Sequence, residues 1–390
     1  MNPEAQVDVG VDFVSTEAMK TVQELARNFA EREIKPNVMK YDEAQEFPLE
    51  IIRKLGELGF MGVVFPEKYG GANFTYLELV TIIEEISKYD PSIGLSISAH
   101  NGLCTNHIYT FGSEQQRERY LPDLCSGKTV GAWALTEPGS GSDAGGMMTT
   151  AVRDGNYYVL NGTKTFTTHG SVAGTIVVMA VTDRSREKSG ISAFILERTM
   201  EGFSAGKKEN KLGMRASDTA TIILDYVRVP RESLIGEEGA GFKQALNILD
   251  GGRIGIAALS VGIAQACIDH SLKYARERHQ FGKALGEFQA IQWKLADMAT
   301  EVKAARLMTQ KAAWEKQHGK DINLTAAEAK YFASEVAVRA ANEAVQIHGG
   351  YGFIKEFPVE KLYRDVKLMT IGEGTSEVQK MVIAKNLLQE

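Results

Sequence analysis

Three short stretches of the 390-residue chain carry residue types that could do chemistry. In Ile371-Gly372-Glu373-Gly374-Thr375-Ser376 a carboxylate stands between two glycines, where no neighbouring Cβ blocks close approach by a ligand. That suits a general base, with Thr375 or Ser376 capping the next helix, and it equally suits a helix-capping loop with an exposed glutamate. In Thr136-Glu137-Pro138-Gly139-Ser140-Gly141-Ser142-Asp143 the glycines and hydroxyls could offer backbone N–H groups to a phosphate, or form a plain surface turn. Its Gly139-x-Gly141-x-x-Ala144 spacing nominally matches the dinucleotide fingerprint. Residues 147–153 then lead into a strand rather than a helix, so the Rossmann reading is rejected. Asp250-Gly251-Gly252-Arg253 opens onto an apolar helix. Its arginine could hold a phosphate or carboxylate, or pair with Asp250 to join two helices. No Walker loop, H-E-x-x-H or G-x-S-x-G occurs, and His348 before Gly349-Gly350 reads as structural.

The elements that must position these stretches fall into three blocks. From Ser15 to about Cys125 apolar residues recur at three- and four-residue spacing, with Ser15 or Thr16 as a helix N-cap and breaks at Pro36, Pro48, 66–74 and Asp90-Pro91. From Gly131 the character changes to β-branched runs at Tyr157–Asn161, Thr175–Val181, Ile191–Leu196 and Thr219–Val229, separated by turns such as Asp154-Gly155. Between Pro230 and Pro358 there is no proline and long helices are predicted. One presents Phe288, Ile291, Leu295, Met298, Val302 and Ala305 on a single face, and another spans Leu324 to Ile347. The fold class is mostly α with a middle β domain: an N-terminal helical domain over 1–130, a β domain over 131–240 and a helical bundle over 241–390. Bundles of this kind often oligomerise.

Composition excludes several classes. Forty-four Lys and Arg against 50 Asp and Glu give a net charge of −6, which offers no general attraction for nucleic acid. Cys104, Cys125 and Cys267 are too few and too scattered for a disulfide framework or a structural zinc site, so no metal is expected. No run approaches the ~18 consecutive apolar residues of a membrane helix, so membrane insertion is not expected. The start at Met1, with Glu4, Asp8 and Asp12 and no apolar leader core, points to a cytoplasmic protein.

Taken together and in this order, TEPGSGSD (136–143), NGTKTF (161–166), RERHQFGKALGEFQAIQ (276–292), QIHGGYGF (346–353), YRD (363–365) and EGTSEVQ (373–379) resemble the acyl-CoA dehydrogenase family of flavoproteins over nearly the whole chain. The resemblance implies a helical domain, a β-barrel-like domain and a C-terminal four-helix bundle. It implies FAD as cofactor, an acyl-CoA substrate, electron-transfer flavoprotein as electron acceptor and a homotetramer. Thr136 and Ser142 match residues lining the FAD, with Ser142 also near the CoA arm. Phe166 matches the aromatic stacked near the flavin and Thr168 the hydroxyl at its N5 edge. Arg278, Gln280, Phe281, Gln346, Gly349 and Gly350 match residues reaching the FAD of a neighbouring subunit. Thr375 and Glu377 match contacts made after the catalytic loop, Asp250 and Arg253 match a pair touching CoA, and Gly374 adjoins the substrate.

By the same resemblance Glu373 accepts the α proton of the thioester while flavin N5 takes the β hydrogen as hydride. The thioester carbonyl is held by a flavin ribityl hydroxyl and the backbone N–H of Glu373. Isovaleryl- and long-chain-type members carry the base at the position of Gly252, where glycine cannot serve. GGRIGIA and LADMA look most like butyryl-type enzymes, yet those commonly have Tyr where this chain has Gly372, which leaves room for a branched or cyclic acyl group. Gly94 replaces the Arg of glutaryl-type members, arguing against dicarboxylyl substrates. Thr167 and His169 replace the usual Ile and Asn beside the flavin. The expected function is FAD-dependent α,β-dehydrogenation of a short-chain, branched or cyclic acyl-CoA. The alternatives are an acyl-CoA oxidase of the same fold and a non-catalytic helical bundle that binds acyl-CoA or a partner.

Overall fold

The computed structural model describes residues 16–389. Ser15, one of the two cap candidates, lies outside that range. Thr16 caps the first helix, α1 (Glu17–Phe29), by accepting from Met19 N at 3.1 Å. The N-terminal block continues with α2 (Val38–Ala44), α3 (Leu49–Glu57), α4 (Tyr76–Ser87), α5 (Pro91–Ala99), α6 (Asn106–Phe111) and α7 (Glu114–Cys125). The starts follow capping chemistry. Thr75 and Glu78 form a capping box before α4, Ser113 and Gln116 do so before α7, and Asp90 caps α5 with Pro91 at its first position. The helical stretch that follows the Asp90-Pro91 break is interrupted, with a π-helical segment at His100–Thr105 between α5 and α6.

The β domain comprises β1 (Gly131–Ala134), β2 (Thr150–Asp154), β3 (Tyr157–Thr168), β4 (Thr175–Val181), β5 (Ile191–Glu197), β6 (Phe203–Lys208) and β7 (Thr219–Pro230). Strands β2, β3, β7 and β6 run antiparallel in that spatial order, while β4 pairs antiparallel with β5 and parallel with β1. The four expected strands are present, although β3 runs on to Thr168 through a register shift between Lys164 and Thr167. Strands β1, β2 and β6 gave no β-branched run. β1 reads Gly-Ala-Trp-Ala and β6 is largely polar, so both depend on their partners rather than on propensity.

The C-terminal block holds α8 (Gly241–Glu277), a hairpin of β8 (His279–Gln280) and β9 (Lys283–Ala284), α9 (Gln289–Gln317), α10 (Asn323–His348), α11 (Pro358–Val366) and α12 (Ser376–Gln389). On α9, Met298, Val302 and Ala305 are buried as predicted, Ile291 and Leu295 pack against them, and Phe288 is the cap residue. Helix α8 is long and apolar enough to cross a membrane by length and composition. Its most apolar window is 94% buried in protein, which makes it the central core helix.

The helical blocks flanking the β domain share one core: Val22, Ile52, Ile83 and Ile97 from the first pack with Ile256, Val261, Val302 and Val336 from the last. The β domain keeps its own interior around Tyr158, Ile176, Phe194 and Val227. All three blocks meet at a buried clasp. Lys361 donates to Asp90 at 2.9 Å and to Asp365 at 2.6 Å, while Asp365 accepts from the backbone of Met214 at 2.6 Å.

Candidate active site

Glu373 leaves the end of α11 on a tight turn, with Gly372 N bonded to Leu368 O at 2.8 Å. Its backbone is left-handed, φ +53°, and Gly374 comes next at φ +93°. A glutamate in that conformation is strained and must be held by its surroundings. Lys330 Nζ of α10 donates to Gly374 O at 2.6 Å, and Gln379 Nε2 of α12 donates to Glu373 O at 3.2 Å and Gly374 O at 3.0 Å. Thr375 Oγ1 accepts from Val378 N at 3.3 Å, so Thr375 caps α12, while Ser376 donates to Glu335 at 2.7 Å. Glu377 is exposed just inside the helix.

The carboxylate is turned inward against α8. Glu373 Oε2 is shut off from solvent and has no hydrogen-bond partner among the described residues. A Cβ placed on Gly252 would come within 2.0 Å of it, so only glycine permits this approach. The position of Gly252 on α8 and the Glu373 carboxylate from the turn before α12 thus address one point in space. Burial pushes the Glu373 carboxyl up from 4.5 to about 7, against the opposing pull of the Lys330 and Arg253 cations.

Asp250, Gly251, Gly252 and Arg253 do not open a helix, as expected from sequence, but lie inside α8. Glycines cost a helix interior about 1 kcal/mol each, and here the long apolar run beyond them carries the helix through. Arg253 donates to Asp250 at 2.6 Å, which is the ion pair allowed by the local reading, but within one helix rather than between two. Asp250 also accepts from Asn323 at 3.0 Å, and Asn323 from Asn386 at 2.8 Å, tying α8, α10 and α12 together. Arg253 is buried, and its Nε, like Glu373 Oε2, has no partner. Beneath Gly252 a narrow pocket is lined by Tyr76, Ile83, Ser98, Gly251, Gly255 and Lys316. Glu373 and Gly374 thus stand beside Gly252, and Arg253, paired with Asp250, faces the same carboxylate.

The second group of sequence candidates lies on the β domain. Phe166 adopts φ +53° and leaves 65% of its surface exposed, an unusual combination for an aromatic residue. Thr168 and Thr136 are partly exposed and Ser142 fully so, and the two segments are joined by Thr165 N bonded to Thr136 O at 2.9 Å. Thr167 and His169 are buried instead. His169 Nδ1 bonds Gly131 O at 3.0 Å, its ring meets the edge of Phe47, and its Nε2 and Thr167 Oγ1 have no partner among the described residues. These two departures from the family pattern thus change the packing behind the strand, not its open face.

A third group gathers at the far end of α8. Arg278 lies over the ring of Tyr351 at 5.4 Å, bringing the β8–β9 hairpin beside the turn after α10. Phe281 is 94% exposed at φ +55°, and Gln346, Gly349 and Gly350 are exposed as well.

The N-terminal, middle and C-terminal domain families of acyl-CoA dehydrogenase match residues 16–128, 132–227 and 239–388 in turn. The chain belongs to the acyl-CoA dehydrogenase family. It is 45% identical to a short-chain specific acyl-CoA dehydrogenase of Clostridium acetobutylicum, covering 97% of this chain and all of that one. It is 44% identical to a caffeyl-CoA reductase–Etf complex subunit of Acetobacterium woodii, over 96% of this chain and 99% of the relative. The solved butyryl-CoA dehydrogenase of Megasphaera elsdenii superposes with a TM-score of 0.96 at 44% identity, over 97% of this chain and all of that one.

The chain is therefore an oxidoreductase and a flavoprotein of that family, whose cofactor is FAD. Its own residues fit the group: an exposed aromatic and hydroxyls on β3 and the adjoining loop, and glycines at 349 and 350 where an added Cβ would meet nothing within 4 Å. Sequence reasoning missed Lys330 and Gln379. The signal for Lys330 was present, since it is the one charge in the run Ala326, Ala327, Ala329, Lys330, Ala333 on an otherwise alanine face.

Proposed function

We propose that this chain dehydrogenates a short-chain acyl-CoA thioester to the enoyl-CoA, with Glu373 as the base that takes the α proton. The observation that carries the reading is the enclosed Oε2 of Glu373, unpartnered among the described residues, held against Gly252 and raised to about 7. A base is most effective when its pKa lies near the working pH, and an oxygen that no protein group occupies is free to receive a proton. The backbone N–H of Glu373 is offered to the thioester carbonyl, where it stabilises enolate-like charge as the α proton departs. FAD, when bound, supplies the acceptor for the β hydrogen. Thr136, Ser142, Phe166 and Thr168 hold it on this subunit, with Thr375 and Glu377 beside the loop. Arg278, Gln280, Phe281, Gln346, Gly349 and Gly350 serve the cofactor of a neighbouring copy in a homotetramer. Asp250, Arg253, Ser142 and Gly374 meet the thioester and CoA arm.

The short-chain specific relatives support a short acyl group, and the absent side chain at Gly372 widens the room around the reacting carbons toward branched or ring-bearing ones. Electrons leave through electron-transfer flavoprotein in the cytoplasm, in keeping with the relative named as part of an Etf complex. Anaerobic titration with butyryl-, isovaleryl-, 2-methylbutyryl- and cyclohexanecarbonyl-CoA tests the reading. One or more should bleach the visible flavin band of the wild type and none that of Glu373→Gln. A yellow protein bleached by none of them would sink this substrate range.

A further inference from the structure

Lys330 is wholly enclosed on the alanine face of α10, and a lysine is buried only where something compensates its charge. Its Nζ bonds a carbonyl, that of Gly374 at 2.6 Å, rather than a carboxylate. We propose that Lys330 is a positioning residue for the base: it anchors the catalytic loop through Gly374 and supplies the positive charge that keeps the neighbouring Glu373 carboxyl ionised. The inference rests on reading Glu373 as the base.

The surrounding charges support it. From α8, Arg253 also faces Glu373, but its charge is shared with Asp250 at 2.6 Å. From α9, Lys316 lies beside Gly251 and feels Asp250. From α10, Glu335 is engaged by Ser376, and Glu377 of α12 is exposed. Burial lowers Lys330 to about 8, and of the carboxylates that oppose this Glu373 pulls hardest, ahead of Glu335 and Glu377. Lys330 and Glu373 each favour the charged form of the other.

The test compares Lys330→Met, which keeps the length and removes the charge, with Lys330→Arg, which keeps the charge. The FAD-loaded proteins are titrated by the infrared C=O stretch of the Glu373 carboxyl, with Glu373→Gln as the blank, and by the pH profile of turnover. An opposite charge at this range is worth about one pKa unit or more, so Lys330→Met should raise the Glu373 midpoint by about that amount. Turnover should fall about fivefold at neutral pH and recover above about pH 9, following the ionised fraction of the base. Lys330→Arg should keep the wild-type midpoint. If Lys330→Met fails to fold, adding Glu373→Gln should rescue it by removing the uncompensated carboxylate, and failure to rescue overturns the inference. An unshifted Lys330→Met, or a Lys330→Arg that shifts as far, overturns it while leaving an inactive Glu373→Gln to uphold the base. A Glu373→Gln that keeps turnover overturns both.

Discussion

Two buried lysine–glutamate pairings sit in different parts of this molecule, and their lysines are alike. Lys164 of β3 and Lys330 of α10 are both fully enclosed, and burial lowers each to about 8. Their glutamates differ. Glu137 Oε1 accepts from Lys164 at 2.8 Å and Thr149 N at 2.9 Å, and its Oε2 accepts from Met148 N at 2.6 Å. Burial would raise that carboxyl, but the ammonium and the N–H donors outweigh it and hold it below the ordinary range. Glu373 has cations nearby but no donor on its enclosed oxygen, so burial wins and it rises to about 7. The saturated pair holds the 136–149 loop to β3, and the unsaturated one is where a proton can go. How far burial is compensated separates the two carboxylates: at Glu137 a bonded ammonium and two N–H donors outweigh it, and at Glu373 cations without a hydrogen bond do not.

The largest effect that would break this contrast is on turnover. Glu373→Gln should lower turnover by about 10²–10⁴-fold or more, as expected for losing a positioned general base, with flavin binding intact. Substituting Glu137 should act chiefly on stability. Stopped-flow flavin reduction decides between them: a Glu373→Gln protein reduced at the wild-type rate would remove the functional half of the comparison.

Stability gives the converse. Breaking a buried pair leaves an uncompensated charge, so Lys164→Met should cost about 3–5 kcal/mol in denaturant unfolding. Lys330→Met should cost less, about 1–2 kcal/mol, because Gln379 still donates to the Gly374 carbonyl. Equal losses would mean that the two lysines do the same work.

The pH dependence should have opposite signs at the two carboxylates. Glu137, depressed in the folded state, adds stability above the ordinary carboxylate range that is lost as pH falls through its folded value. Glu373 is raised from 4.5 to about 7, so the unfolded chain releases that proton first and stability declines as pH rises through this interval. The decline amounts to about 3 kcal/mol. Glu373→Gln should therefore match the wild type in stability near the bottom of that window and exceed it above the top. Melting temperatures measured across the window check this, and parallel curves would contradict the raised value.

The legibility of the sequence obeys the same physics. Motifs whose residue types are demanded by chemistry or backbone, such as Gly372-Glu373-Gly374 and TEPGSGSD, stood out because few other residues fit there. The three-block division was visible in the change from helical spacing to β-branched runs. The single core shared by the two helical blocks was not, because Ile83 and Val261 reveal nothing locally about meeting across the sequence. YRD carried only the family resemblance, and its role shows in the fold, where Asp365 and Arg364 clasp Lys361 and Asp42. The helical setting of Asp250–Arg253 was hidden by its two glycines, which read locally as a break. Lys330 was overlooked because a lone lysine in a helix ordinarily faces water, and only its alanine neighbours marked it as buried.

The smallest predicted effect concerns the space around the reactive carboxylate. Glu137 is packed on every side, whereas Glu373 is bordered by glycines at 252, 372 and 374. Position 372 is the one where that openness can be closed without disturbing the fold. A Cβ there would meet only Leu368, whose nearest atoms lie at 3.5 to 3.7 Å in ordinary contact, and the backbone is not left-handed. Gly372→Tyr should therefore fold and bind flavin. If the missing side chain is what admits bulk beside the reacting carbons, kcat/KM for isovaleryl- and cyclohexanecarbonyl-CoA should fall about tenfold or more relative to butyryl-CoA, the scale on which shape discriminates in an apolar pocket. A parallel loss on all thioesters would mean that the ring had displaced Glu373 itself. No change on any would place Gly372 outside the acyl site and leave the pocket beneath Gly252 to set the choice of substrate.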